Sequence, residues 1–295
     1  MDSESLVIPH DAYTLPLCAS SANMKILSKG QYYGLKDLEK SLDGIVLSQY
    51  NYNTGRPTDW HYHENPYFWY ILNGNMMDCN KKVKTLCPPG SLMFTNWQEI
   101  HYGSKHSGDA AGFHLEFERS WLKNNDVNLA LFEGSALIQQ PKVHFLFAKL
   151  YYEFLQNDAY SKITIELLLL QICDALSDSK NASRTQKVPD WVELLKELIH
   201  YDKFDLSLKH LSEQLGVHPA HISRAVPKYL SVSLGEYIRQ HKLKEALPLI
   251  LDRKNTLTNI AHQAGFSDQS HFNRVFNSVF DMNPNTYRKI VTKNY

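Results

Sequence analysis

Three histidines carry the clearest chemical potential of the N-terminal half. His61 and His63 are two residues apart, and His101 follows further along the chain. Residues i and i+2 of a β-strand point to the same face, so His61 and His63 would act together. Three imidazoles can hold Zn²⁺, or another metal that accepts nitrogen ligands, and leave one position open. Neutral histidines also form packed, hydrogen-bonded clusters. We expect such a cluster here, without a bound metal or other cofactor.

Two segments near the C-terminus carry side chains of the types that read DNA bases. In the later segment Phe272 and Phe276 recur at helical spacing, and the opposite face presents Ser270, His271, Arg274 and Asn277. In the earlier segment Ile222 and Val226 point inward, which leaves outward Ala220, His221, Ser223 and Arg224. Arg can bind guanine through two hydrogen bonds, and Ser or Asn can bond several bases. Both faces therefore predict contacts with base edges.

These segments belong to a helical pattern that occurs twice. Leu208, Leu211, Ser212, Leu215 and Gly216 recur 49 positions later as Leu257, Ile260, Ala261, Ala264 and Gly265. Ile222, Arg224, Val226, Leu230 and Tyr237 recur 50 positions later as Phe272, Arg274, Phe276, Phe280 and Tyr287. Each copy predicts a short helix, a turn led by Gly and a second helix. In the second copy we expect Ser267 to be the N-cap of the second helix. This is the helix-turn-helix arrangement. A helical bundle can imitate one such motif, but two aligned copies favour DNA binding.

The segment GFSDQSHFNRVFNSVFDMNPNTYR resembles the signature of AraC/XylS transcription regulators, and the resemblance covers about residues 190–290. It implies recognition helices at 219–227 and 268–277, joined by a long helix that begins near Glu236. It also implies that the two helices lie about one turn of DNA apart. By position, the base contacts would come from Ala220, Ser223, Arg224, Ser270 and Arg274, with His271 and Asn277 on the same exposed face. Phosphate contacts set register rather than sequence; we expect them from Lys228, Arg239, Lys242 and Arg288.

Three residues depart from the family pattern. Pro227 stands where a basic helical residue is usual, and it should shorten or kink the first recognition helix because proline lacks a backbone N–H donor. Pro248 should do the same in the connecting helix, at a nominal cost of about 3 kcal/mol. Ser231 replaces a frequent Gly. We therefore expect the first recognition helix to bind more weakly, and Arg274→Ala to damage DNA binding more than Arg224→Ala.

Residues 45–117 predict a small barrel or sandwich, because aromatic and β-branched runs alternate with Gly, Pro and Asn turns. The segments HYHENPYFWYILNG and PPGSLMFTNWQEIH resemble the two motifs of the cupin barrel, which regulators of this family often carry as a sensor. Metal-binding cupins add a Glu where this chain has Tyr67, which argues against a metal. His114 and Glu116 share one strand face and could complete a site.

Aromatic rings near these histidines could line a small-molecule pocket. The candidates are Trp60, Tyr67, Trp69 and Tyr70. Strand alternation assigns Tyr67, Trp69 and Ile71 to one face, and Phe68, Tyr70 and Leu72 to the other. Only one face can line a pocket, and most of these rings could simply be core. We expect an effector pocket lined by His61, His63, Tyr67, Trp69 and His101.

Apolar residues at helical spacing between 143 and 177 predict a helical hairpin. By resemblance to the family it would form a dimer interface; packing against its own barrel is the alternative. A polar stretch, SDSKNASRTQKVPD, follows. We predict an α+β protein with three parts. A cupin-like effector-binding and dimerisation domain occupies residues 1–180, a linker 181–190, and an all-α DNA-binding domain with two helix-turn-helix motifs 191–295.

Charge is unevenly distributed along the 295 residues, which hold 31 basic and 31 acidic side chains. Residues 205–295 hold 12 Lys and Arg against 7 Asp and Glu, a net charge of +5 that suits a polyanionic partner. The cysteines at 18, 79, 87 and 173 form no disulfide framework, which fits a reducing compartment. The start MDSESLVIPH lacks the features of a signal peptide, and no apolar run reaches the ~18 residues that span a bilayer. We expect a soluble, cytoplasmic protein with no membrane partner.

We predict a sequence-specific transcription regulator, rather than an enzyme, that binds double-stranded DNA as a homodimer and responds to a small-molecule effector. The effector would act through different affinities for two arrangements of the DNA-binding domains. Activation through RNA polymerase is the commoner mode in the family, and repression is the alternative. Two other functions stay open: a cupin metalloenzyme (isomerase or dioxygenase) fused to a DNA-binding tail, and a constitutive DNA-binding protein whose barrel only dimerises.

Overall fold

The computed structural model describes residues 24–52, 57–105, 108–127, 134–185, 188–201 and 205–293. Cys18 and the start examined for a signal peptide lie outside these ranges. The described chain is a mixed α+β protein, with a sheet-rich N-terminal region and a helical C-terminal region. Its strands are β1 (Lys25–Leu27), β2 (Leu35–Leu42), β3 (Ile45–Tyr52), β4 (His61–His63), β5 (Tyr67–Asn73), β6 (Met76–Asn80), β7 (Lys84–Cys87), β8 (Leu92–Thr95), β9 (His101–Lys105), β10 (Ala110–Phe117) and β11 (Ser135–Leu137).

The strands form two sheets, with the orders β1-β4-β9-β6-β7 and β11-β8-β5-β10-β3-β2. β5 and β10 are buried on both faces, which explains their nearly continuous apolar sequence. Tyr67, Trp69 and Ile71 belong to a cluster that includes Met76 and Cys87 of the other sheet. Phe68, Tyr70 and Leu72 belong to a second cluster that includes helical residues. The predicted alternation along β5 is therefore confirmed.

β1, β2 and β11 lie outside residues 45–117, where the sequence predicted strands, and α1 (Arg119–Asn124) was not predicted either. β2 is an edge strand of the second sheet, and its sequence LKDLEKSL is mostly exposed or half-buried. Solvent reaches both faces of this edge strand, so its sequence needs no alternation of apolar and polar residues. Without that alternation, the sequence does not indicate a strand.

The predicted helical hairpin is present as α2 (Pro141–Gln156) and α3 (Ser161–Thr185). α2 packs on its own sheet: the rings of Phe147 and Phe68 lie 5.1 Å apart, and the Tyr151 hydroxyl donates to Gln49 Oε1 at 2.9 Å. α3 continues to Thr185, so residues 181–185 of the predicted linker form the end of a helix. No helix among the described residues is both long enough and apolar enough to cross a membrane.

Seven helices follow in the described C-terminal region: α4 (Asp190–Tyr201), α5 (Leu208–Leu215), α6 (Pro219–Leu230), α7 (Leu234–Leu251), α8 (Leu257–Gln263), α9 (Gln269–Phe280) and α10 (Pro284–Val291). The expected shortening at Pro227 and Pro248 was wrong, because α6 and α7 continue past these prolines. Each proline stands three residues before the end of its helix. Loss of one backbone hydrogen bond there leaves the preceding turns intact.

The C-terminal helices are divided between two apolar cores. α4, α5, α6 and the start of α7 surround a small core of their own that includes Leu195, Ile222 and Val226. The rest of α7 and α8 to α10 share one continuous core with α2 and the second sheet. Within it, the buried Tyr287 hydroxyl donates to the Ala148 carbonyl of α2 at 3.0 Å. We call the rest of α7 together with α8 to α10 the second helical unit. It is docked on the N-terminal region through this shared core.

Candidate nucleic-acid interface and ligand cavity

The helix pairs α5–α6 and α8–α9 are built alike. Gly216 and Gly265 adopt positive φ angles of 62° and 78° in the turns between the paired helices, a conformation that glycine adopts without steric cost. The His218 side chain caps α6 by accepting from the Ala220 N–H at 3.2 Å. Fifty positions later, Asp268 caps α9 by accepting from the His271 N–H at 2.7 Å. The prediction that Ser267 caps this helix was wrong by one residue. The cap is Asp268, whose carboxylate is a stronger hydrogen-bond acceptor than a serine hydroxyl.

The predicted reading faces are the exposed faces of α6 and α9. Ile222, Val226, Phe272 and Phe276 are buried. The residues exposed on these helices include Ala220, His221, Ser223, Arg224, Ser270, Arg274 and Asn277, whereas His271 is half-buried. Each helix has 12 residues, so α6 and α9 are longer than the predicted 219–227 and 268–277.

The two arginines at equivalent repeat positions differ in their local bonds. Arg224 Nε donates to the Ala220 carbonyl of its own helix at 3.1 Å. Arg274 has no such bond among the described residues, and its charge acts on His271 nearby. Burial, followed by repulsion from Arg274, lowers the pKa of His271, and Lys242 adds a weaker repulsion. Positive charge from α7 and α9 therefore converges on this face, as an interface for phosphates would require.

The four residues expected at phosphates have different surroundings. Lys228 is exposed, and Lys242 is half-buried. Arg239 donates from Nε and Nη2 to Glu236 Oε2, at 3.1 Å and 2.7 Å. Arg288 is half-buried, and its Nη1 donates to the Asn255 carbonyl at 2.8 Å. Arg288 thus links α10 to the residues before α8. The sequence predicted a phosphate contact for Arg288 and did not indicate this hydrogen bond.

The three N-terminal histidines come together and are all buried. His61 on β4 pairs directly with His101 on β9, and the rings lie 4.3 Å apart. One potential ligand atom from each of His61, His63 and His101 lies within 4.8 Å of the others. The Tyr67 hydroxyl, where metal-binding cupins have Glu, bonds with His101 Nε2 at 3.1 Å.

Backbone carbonyls orient two of these imidazoles. His61 Nδ1 donates to the Asp59 carbonyl at 2.7 Å, and His101 Nδ1 donates to the Glu99 carbonyl at 2.9 Å. Because the proton sits on Nδ1, the lone pair of each neutral ring is on Nε2. Burial lowers the pKa of His61 to about 3 and that of His63 well below its usual value, and a positive charge on His101 would lower both further. His61, which is neutral and oriented by a carbonyl, fits the requirements of a metal ligand, whereas Tyr67 supplies no carboxylate.

All five residues expected at the effector pocket line one cavity. Its free volume is about 40 Å³, room for a few water molecules. Tyr32 helps to fill the cavity, with its ring stacked on His114 at 3.9 Å. Tyr32 and Asp78 also line the cavity, and neither was predicted because no motif or periodicity marks them.

Three other residues considered for this site lie elsewhere or act differently. Glu116 accepts from the Gly30 N–H at 2.8 Å and from the Tyr32 hydroxyl at 3.1 Å, so it holds the segment that carries Tyr32. Trp60 packs on Tyr102, with ring centroids 4.7 Å apart. Tyr70 lies on the opposite face of β5, in the core with α2.

Comparison with known proteins agrees with the helical geometry. A helix-turn-helix domain family matches residues 211–290. An uncharacterised HTH-type transcriptional regulator of Staphylococcus aureus (strain COL) is 23% identical over 235 residues, which cover 74% of this chain and 31% of that protein. The multiple antibiotic resistance protein MarA of Salmonella typhimurium is 30% identical over 110 residues, which cover 37% of this chain and 80% of MarA. The chain belongs to the AraC/XylS family of transcription regulators.

Two further comparisons give the extent of these similarities. The chain spans about a third of the length of the staphylococcal regulators that it matches. Among solved structures, apo ToxT from Vibrio cholerae is 13% identical, with a TM-score of 0.40 over 86% of this chain and all of ToxT.

Proposed function

We propose that this AraC/XylS-family protein is a sequence-specific, DNA-binding transcription regulator. In this proposal α5–α6 and α8–α9 are two helix-turn-helix motifs, and α6 and α9 are their recognition helices. The observation that carries the proposal is the repeated exposed face, with Arg224 and Arg274 at equivalent positions. Activation through contact with RNA polymerase is our proposal for its mode, on the grounds of family membership.

The length of the connecting helix supports binding to successive major grooves. α7 has 18 residues and is therefore roughly 27 Å long. Adjacent turns of the major groove on one side of a duplex are about 34 Å apart. A helix of this length between the two motifs suits that spacing.

Selection of bound DNA from a random pool tests the proposal. The experiment needs the full chain, because α7 to α10 share their core with α2. We expect the pool to converge on two short sequence elements about one helical turn apart. The exposed Lys289→Ala variant, which removes a positive charge from α10 outside the reading faces, should select the same sequence. A pool that never converges would refute sequence-specific binding.

We propose that the N-terminal region is the sensor and that the cavity of His61, His63, Tyr67, Trp69 and His101 is the effector site. Its support is a buried set of three imidazoles, two of them oriented by backbone carbonyls, that can hydrogen-bond a small polar ligand. Because the free volume is about 40 Å³, a ligand larger than a few waters has to displace Tyr32. A ligand at 100 times its Kd should stabilise the full chain by about 2.7 kcal/mol, and thermal-shift screening of small metabolites can detect this. His101→Gln should remove the shift. Failure of all compounds to stabilise the protein favours constitutive DNA binding.

The same imidazoles favour a second candidate, a cupin-like metal centre with catalytic activity. Elemental analysis of the purified full chain separates the two. One equivalent of transition metal that is lost in His101→Gln, together with turnover of a substrate, would favour the enzyme. A metal-free protein that binds its selected DNA would favour the regulator.

We propose that the protein acts as a homodimer through α3. The support is an exposed apolar stripe at helical spacing, in which Ile163, Leu167 and Leu170 are 59%, 55% and 43% exposed. A second copy of the same stripe would cover it around a two-fold axis. Light scattering after gel filtration should detect a dimer that Leu167→Glu dissociates. Leu194→Glu, at an exposed leucine of α4, should leave the dimer intact. A monomeric wild-type chain at micromolar concentration would refute the proposal.

A further inference from the structure

A second cluster of metal-binding side chains lies in the helical region, away from the cavity of the N-terminal region. His200 stands near the end of α4, and His241 and Glu245 stand one turn apart on α7. One potential ligand atom from each of the three lies within 4.8 Å of the others. His241 is buried and Glu245 half-buried, whereas His200 is exposed. The rings of His200 and His241 have centroids 5.7 Å apart.

We propose that His200, His241 and Glu245 bind a divalent transition metal such as Zn²⁺, and that the metal links α4 to α7. This inference concerns a site separate from the reading faces and from the effector cavity. It does not depend on what either of them binds.

The ligand chemistry supports the assignment. Two imidazoles and one carboxylate form a ligand set that zinc accepts, with a fourth position left for water. Residues i and i+4 share a helix face, so α7 supplies two ligands from one rigid element. Metal–ligand bonds of about 2.0–2.2 Å separate neighbouring ligand atoms by roughly 3.4 Å in a tetrahedral site. The exposed His200 can close the remaining distance by a change of rotamer, and its exposure also gives the metal a path of entry.

The position of the site gives the metal a structural consequence. α4 belongs to the small core that surrounds the first recognition helix, and that core reaches only the start of α7, at Leu234, Tyr237 and Ile238. His241 and Glu245 lie further along α7, towards the half that packs on α2. A metal held between α4 and this part of α7 would therefore hold the α4–α6 unit against the second unit of the DNA-binding region.

Calorimetric titration of the metal-free full chain with Zn²⁺ tests the site. The variant His200→Gln removes an exposed ligand with little risk to the fold, and His262→Gln at an exposed histidine of α8 is the matched control. We expect His200→Gln to bind one equivalent of Zn²⁺ fewer than His262→Gln, and Glu245→Gln to bind that equivalent at least tenfold more weakly. His101→Gln should leave it unchanged. In addition, the Co²⁺-loaded wild-type chain should show visible absorption of a four-coordinate site that His200→Gln reduces.

Two outcomes would overturn the proposal. In the first, His200→Gln and His262→Gln bind Zn²⁺ with the same stoichiometry and affinity. In the second, His101→Gln abolishes all zinc binding, so that the N-terminal histidines account for the metal.

Discussion

Tyr287→Phe should loosen the contact between the second helical unit and α2. The Tyr287 side chain is 2% exposed, and its hydroxyl donates to the Ala148 carbonyl at 3.0 Å. Its ring stacks on Tyr152, with centroids 5.7 Å apart and planes at 15°. The substitution keeps the ring and deletes one buried hydrogen bond, so the free energy of unfolding should fall by about 1 kcal/mol. Equilibrium unfolding in urea measures this loss.

Hydrogen exchange followed by mass spectrometry tells where the loss acts. In Tyr287→Phe, exchange should rise in peptides from α10 and also in peptides from α2, because the deleted bond joins the two helices. Tyr237→Phe is the matched control, since Tyr237 holds the equivalent repeat position but packs in the small core of α4 to α6. Its effect should stay within those helices. If Tyr287→Phe leaves the exchange of α2 unchanged, the shared core does not hold the two regions together and the reasoning fails.

Three further predictions concern the recognition helices and a buried histidine. Arg274→Ala should weaken binding to the selected DNA by about 1–3 kcal/mol, and Arg224→Ala by about 1 kcal/mol less, because Arg224 must give up its bond to its own helix to reach a base; equal losses in gel-shift titrations would contradict this. Ser231 ends α6 with φ of 59°, so Ser231→Gly should raise the free energy of unfolding by about 0.5–1 kcal/mol, whereas Ser231→Ala should not. Burial lowers the pKa of His144 to about 3, and a nearby Lys adds to the effect. An unfolded chain takes up this proton below about pH 6.5, so His144 should destabilise the fold by up to about 2 kcal/mol as the pH falls from 7 to 5. His144→Gln should flatten that part of the stability profile; an unchanged slope in urea titrations would show that His144 does not cause it.

Alternation and repetition in the sequence predicted the parts of the structure that depend on local pattern. The period of two along β5 correctly assigned Tyr67 and Trp69 to one face and Phe68 to the other. It could do so because both faces are buried and register decides which core each ring enters. The cavity itself was harder to predict. Tyr32 reaches it from a loop before β2. A loop has no periodic pattern from which the contact between Tyr32 and His114 could be predicted.

The prolines mark a limit of propensity arguments. Pro227 and Pro248 carry a nominal penalty that holds for a helix interior, yet each lies in the last turn of its helix. Pro248 also has a tertiary role, because a Cβ at Gly90 would lie 2.9 Å from its ring. Gly90 has φ of 86°, so this turn of the N-terminal region approaches α7 as closely as glycine permits. A contact of this kind cannot be read from the sequence of either segment alone.

The shared core joins the cavity to α9 by direct packing. Tyr67 lines the cavity, and Phe68, its neighbour on β5, packs on Phe147 of α2. Two residues earlier on α2, the ring of Phe145 lies 6.3 Å from Phe280, the last residue of α9. A ligand that prefers a shifted β5 would therefore change the energy of the contact between α2 and α9, whereas α6 belongs to a core that α2 does not enter. An effector that acts by this route should change the contacts of α9 with DNA and leave those of α6 unchanged, since among the described residues α9 shares a core with the N-terminal region and α6 does not.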